Sequence, residues 1–108
     1  MKIIKLYVHP NSEMENGIGV KVINQFEVNR TDKSYSGNGI RVPIDDFEKP
    51  IKTGVDTGKL YYDIWTTEEN AKSSVKKCVD LLIQDFDKMN ERWEMIKSAI
   101  DKAKAKFK

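Results

Sequence analysis

The sequence predicts an α+β fold: a four-stranded antiparallel β-meander over residues 2–66, followed by one long C-terminal α-helix over 67–107 whose second half is coiled-coil-like. Three observations carry this. All six glycines and three prolines fall in the first 58 positions and none in the last 50. Before that divide, apolar and polar residues alternate with the period of a half-buried strand; after it, apolar residues recur at helical spacing. At 108 residues, 39% apolar and 33% charged, the chain has the length of a single domain, 1–108, and is too apolar for a disordered tail.

The first strand is read from Ile4, Leu6 and Val8 alternating with Lys5 and Tyr7, and the turn-rich stretch from His9-Pro10-Asn11-Ser12 to Asn16-Gly17 ends it. The second run sets Val20, Val22, Phe26 and Val28 against Lys21, Gln25, Glu27 and Asn29, with Asn24 as a polar intrusion on the apolar face; it should be the longest strand. Thr31 to Gly39, closing on Ser36-Gly37-Asn38-Gly39, reads as a loop, because Asn and Gly tolerate positive φ. Ile40, Val42 and Ile44 carry a third strand, in which Pro43 favours an edge position. Asp45 to Lys59 reads as a loop, and Leu60 to Trp65 as the fourth strand, with Leu60, Tyr62 and Ile64 on one face and Tyr61, Asp63 and Trp65 on the other.

Thr66-Thr67-Glu68-Glu69 offers a capping box for the helix start. The apolar positions then run Ala71, Val75, Cys78, Leu82, Phe86, Met89, Trp93, Ile96, Ile100, Ala103 and Phe107, spaced by threes and fours without a break. Between Val75 and Phe86 the stripe is widened by Val79, Leu81 and Ile83, as expected where a helix lies on a sheet; beyond Met89 it narrows to a seam. Read as one helix, about 40 residues would span roughly 60 Å, so the second half either projects or folds back near Met89-Asn90. The projecting reading predicts a homo-oligomer joined through Phe86, Met89, Trp93, Ile96, Ile100, Ala103 and Phe107.

Nineteen Lys and Arg against seventeen Asp and Glu leave a net charge of +2, without the basic excess of a dedicated nucleic-acid binder. The lone Cys78 excludes an intramolecular disulfide framework and fits a reducing, cytoplasmic setting. No apolar run reaches membrane-spanning length, and the start breaks at His9-Pro10 before a signal peptide could form, so a soluble domain with no membrane partner is expected. Sixteen lysines to three arginines, eleven isoleucines, seven asparagines and only four alanines are the usage of an AT-rich coding sequence, common in phages and mobile elements.

No cofactor or metal is called for. His9 has no second histidine to partner it, and Cys78 lies in the apolar seam. Asp45, Asp46, Asp56 and Asp63 match no cation-binding loop, and Ser36-Gly37-Asn38-Gly39 precedes a strand where a phosphate loop would open a helix. The residues with most to offer a ligand or partner are Arg30, Lys33, Tyr35 and Arg41 around one loop, and the aromatic pair Tyr61 and Trp65. These features predict a non-enzymatic binding protein, in the manner of a phage or mobile-element anti-defence accessory that binds or inhibits a host protein. Two alternatives stand beside it: an oligomer that sequesters a small nucleotide-like ligand, and a nucleic-acid binder using residues 97 to 108, where five lysines face one Asp101.

Overall fold

The computed structural model describes residues 1–53, 61–88 and 94–107. Over these residues it is an α+β arrangement of seven strands in two antiparallel sheets and two helices. The larger sheet has the order β2-β1-β7-β6, formed by β1 (Lys2–Pro10), β2 (Ile18–Glu27), β6 (Ile51–Thr53) and β7 (Tyr61–Thr66). The smaller has the order β3-β4-β5, formed by β3 (Asn29–Arg30), β4 (Ser34–Gly37) and β5 (Ile40–Pro43). A 3-10 turn, Ile44–Asp46, follows β5.

The single meander is therefore corrected. The first strand pairs with both its sequence neighbour and the last strand, which makes it central, and its residues are buried on both faces: Ile4, Leu6 and Val8 on one side and Ile3 on the other. Side chains buried on both faces need a packed layer on each side of the sheet. The expected third strand joins the smaller sheet, and Pro43 does sit on its edge strand. The two stretches read as loops contain strands: β4 lies within 31–39 and β6 within 45–59. Asn38 and Gly39, both at positive φ (50° and 82°), make the two-residue turn between β4 and β5, a backbone twist that suits a hairpin.

β2 is the longest strand, but its apolar residues do not share a face. The register passes from Lys5↔Asn24 to Leu6↔Val22, so Ile23 is an extra residue, a β-bulge. Val20 and Val22 turn to the face of Leu6 and Val8, whereas Asn24 and Phe26 turn to the face of Lys5 and Ile3. The polar intrusion at Asn24 is thus the place where the strand changes sides.

The long helix is likewise corrected. The chain forms α1 (Ala71–Asp87) and α2 (Glu94–Phe107), and α2 returns along α1, with Lys104 Nζ 2.7 Å from the Asp87 carboxylate and Phe107 beside Asp80 and Ile83. The capping box does not form. Thr66 ends β7 fully buried, its Oγ1 accepting a 2.7 Å hydrogen bond from Ser74, while Thr67 Oγ1 accepts the Asn70 backbone N–H. Burial of the Thr66–Ser74 pair, which satisfies both hydroxyls, ties α1 to the sheet in place of a solvent-side cap.

Two cores result. Helices and the larger sheet enclose Leu6, Val8, Ile18, Tyr62, Ile64, Cys78, Val79, Leu82, Phe86, Ile100 and Ala103. The smaller sheet covers one end of the opposite face around Ile3, Val28 and Val42, with Phe26, Tyr35, Phe47 and Trp65 packed against them. The seam foreseen for an oligomer thus finds cover within the chain: Phe86, Ile100 and Ala103 are buried, and Ile96 and Phe107 pack on the same core. Met89, Trp93, Leu60, Asp56 and the Met89-Asn90 break point lie outside the described residues. No described helix is long and apolar enough to cross a membrane.

Candidate functional site

Among the described residues the strand order leaves β2 at the end of the larger sheet, paired with β1 on one side only. α1 lies over β1 and β7, and α2 crosses the end of the β1–β2 hairpin, where Gly17 meets the Ala99 carbonyl and Ile18 is buried. The middle of β2 is uncovered. Val20, Val22 and Ile23 are 45, 61 and 46% exposed, although each is a large aliphatic residue in the longest strand. Between Val20 and Val22 and α1 runs an open groove of about 670 Å³. Ile4, Leu6, Val20 and Val22 form its floor, Ala71 and Val75 its helical wall, and Phe107 one end. Lys72, Lys76 and Glu68 stand on the helical rim and Gln25 on the strand rim. Lys76 is tied to Asp80 at 3.3 Å, whereas Lys72 forms no ion pair among the described residues. An apolar concavity with a few polar groups at its margin is the form that ligand and peptide sites take.

The residues singled out from sequence are distributed differently. Arg30 pairs in register with Tyr35, and Arg41 with Ser36; since Tyr35 and Ser36 are consecutive, the two arginines lie on opposite faces of the smaller sheet. Tyr35 stacks against Phe47 in the second core, with ring centres 4.6 Å apart. Arg41 donates through Nε to the buried Ser34 Oγ, which Thr31 and Ser36 also contact; Lys33 is exposed, and its carbonyl accepts the Ile44 N–H. Tyr61 and Trp65 are also separated. Trp65 packs on Phe26 within the second core, under the Lys5 ammonium, while Tyr61 meets Tyr7 edge to face at 4.5 Å on the half of the sheet face that the smaller sheet leaves open.

That open half also holds His9, whose ring lies over Gly19 and against Tyr7, and Asp63, 3.8 Å from Lys5. One Asp63 oxygen is buried without a hydrogen-bond partner among the described residues, and burial raises the carboxyl above its usual range despite Lys5. Tyr7 is raised as well, by burial and then by Tyr61 and Asp63. On the helix side, the Tyr62 hydroxyl donates to Asp85, which also pairs with Lys52 at 3.1 Å; burial and that bond hold the phenol protonated well above the ordinary range. Burial pushes the Cys78 thiol up to about 12, so it sits in the core as an unreactive apolar group. No group of three or more potential metal ligands occurs among the described residues. The basic end of α2 is held within the chain: Lys102 donates to the Ser12 carbonyl, Lys104 pairs with Asp87, and Lys106 lies 3.9 Å from Glu15.

The chain matches no family model, no curated protein and no solved structure. The groove was not legible in the sequence because alternation reports that a strand has an apolar face, not whether a helix covers it. The one available signal was Asn24, which marks the change of face that leaves Val20 and Val22 beside the groove.

Proposed function

We propose that this chain is a non-enzymatic binding protein that acts by seating an apolar segment of a partner protein, flanked by acidic residues, in the groove between β2 and α1. The observation that supports it is the exposure of Val20, Val22 and Ile23 at a free sheet edge beside an open apolar concavity. The partner's carboxylate is argued from Lys72, which stands on the rim beside Glu68 and forms no ion pair among the described residues. An inhibitor or adaptor needs no more than this, since occupying a partner's segment withholds it from other contacts. The nucleotide-sequestering alternative lacks a shared site when Arg30 and Arg41 are on opposite faces, and the nucleic-acid alternative has fewer free lysines to use when Lys102, Lys104 and Lys106 have partners in the chain.

The test is selection of displayed random peptides on the full chain, counter-selected on Val22→Asp, which places a charge on the exposed groove floor and should leave folding intact. Peptides enriched on the parent chain should bind the variant at least about tenfold more weakly, the cost of setting a carboxylate against apolar side chains. Equal binding to both, or no enrichment, would dismiss the groove as the site.

A further inference from the structure

Resting on that reading of the groove, we infer that the bound segment is extended and joins the sheet as an added strand along β2, with alternate apolar side chains turned into the groove and a carboxylate reaching Lys72. Three features point to this mode over a helix lying in the groove. β2 contains no proline, and among the described residues only its β1 side is paired, so its outer edge carries backbone N–H and C=O groups that can bond a further strand. The groove lies directly between that edge and α1, so an added strand would set every second side chain beside Val20 and Val22 on the helix face, facing the wall of Ala71 and Val75. Finally, the cations on the rim belong to α1, opposite the edge, where side chains of such a strand reach them across the groove.

A second copy of this chain is a poor occupant of the same edge. The opposite charges that could register two antiparallel β2 strands, Lys21 and Glu27, are placed on different faces by the bulge at Ile23, so no in-register pairing brings them together. Two folded copies would also have to match the same kink in opposite directions. A segment without prior structure can follow the kink, which makes the bulge a guard against self-association that leaves peptide binding open.

Alternate N-methylation of the tightest selected peptide tests this, with affinity read by fluorescence anisotropy on the full chain. Two versions carry N-methyl groups at complementary sets of backbone amides. Strand addition predicts that one version, whose blocked N–H groups face β2, binds at least about tenfold more weakly and the other within about twofold. Loss in both versions would indicate a bound helix, and loss in neither would indicate side-chain contact alone; each overturns strand addition while the Val22→Asp effect leaves the groove itself in place. Lys72→Glu should weaken an acidic peptide several-fold at low salt and less at high salt; no change removes the assigned carboxylate contact. If sedimentation shows a parent dimer that Val22→Asp turns into a monomer, the occupant is a second copy and the inference fails.

Discussion

Replacing Gly17 by alanine tests whether α2 docks on the β1–β2 loop. Gly17 has φ +75° and accepts the Asn11 N–H while donating to the Met14 carbonyl, so the loop around it is closed by its own hydrogen bonds. A Cβ added there would lie 2.0 Å from the Ala99 carbonyl oxygen and 2.8 Å from Lys102 Cβ. The nearer obstacle is helix backbone and cannot rotate away, so loop and helix must part by about 1 Å before the contact is tolerable. That separation acts on the turn of α2 carrying Ala99, Ile100 and Ala103, all at most 1% exposed. Gly39 supplies the control: its φ is +82°, and nothing lies within 4 Å of an added Cβ. Gly39→Ala should therefore show the backbone cost alone, about 1 kcal/mol. Gly17→Ala should add an overpacking cost of about 2 kcal/mol, for a total near 3 kcal/mol. Urea unfolding followed by circular dichroism measures both. If the two variants lose the same stability, α2 is not seated against Gly17, and the continuous projecting helix regains its standing.

Two further outcomes are expected. Ile100 is fully buried in the chain's own core, so Ile100→Ala should cost about 2–5 kcal/mol, with a melting temperature that does not move over a hundredfold range of protein concentration; a concentration-dependent loss would return this residue to an interface between copies. Asp63 has its carboxyl raised by burial, so the folded chain holds that proton more tightly than the unfolded chain, and ionisation opposes folding as pH rises through the raised value. Asp63→Asn should accordingly stabilise the chain at pH 7, with the gain fading on acidification toward the ordinary carboxyl range; urea midpoints that show the gain growing in acid would contradict the assigned sign.

Much of the local structure was legible. Period-two alternation located β1 and β7, including the faces of Tyr62 and Ile64, and Pro43 marked an edge strand, because these signals depend on a residue and its near neighbours alone. The short strands β4 and β6 were hidden by Ser, Gly, Lys and Pro, residues whose usual place is a loop. Their pairing partners, not their composition, make them strands. Of the residues proposed for a site, Tyr35 and Trp65 pack against the second core from the smaller and the larger sheet respectively, and an aromatic ring on a strand looks the same in sequence whether or not a second sheet faces it.

The helical region separates the two kinds of information most clearly. The sequence by itself determined that Ala71–Asp87 and Glu94–Phe107 are helical and that Phe86, Ile96, Ile100, Ala103 and Phe107 lie on apolar stripes, since both follow from a 3.6-residue period. It did not determine what would cover that stripe, because an identical seam serves a partner helix or the chain's own sheet. Only the tertiary structure decided this, through contacts distant in sequence: Gly17 admits the backbone of α2, Lys102 reaches Ser12, and the seam closes over Ile18 and Leu82. The same folding back leaves half of β2 bare. α2 is seated over Ile18 at the hairpin end, Val20, Val22 and Ile23 stay exposed, and Val20 and Val22 line the groove.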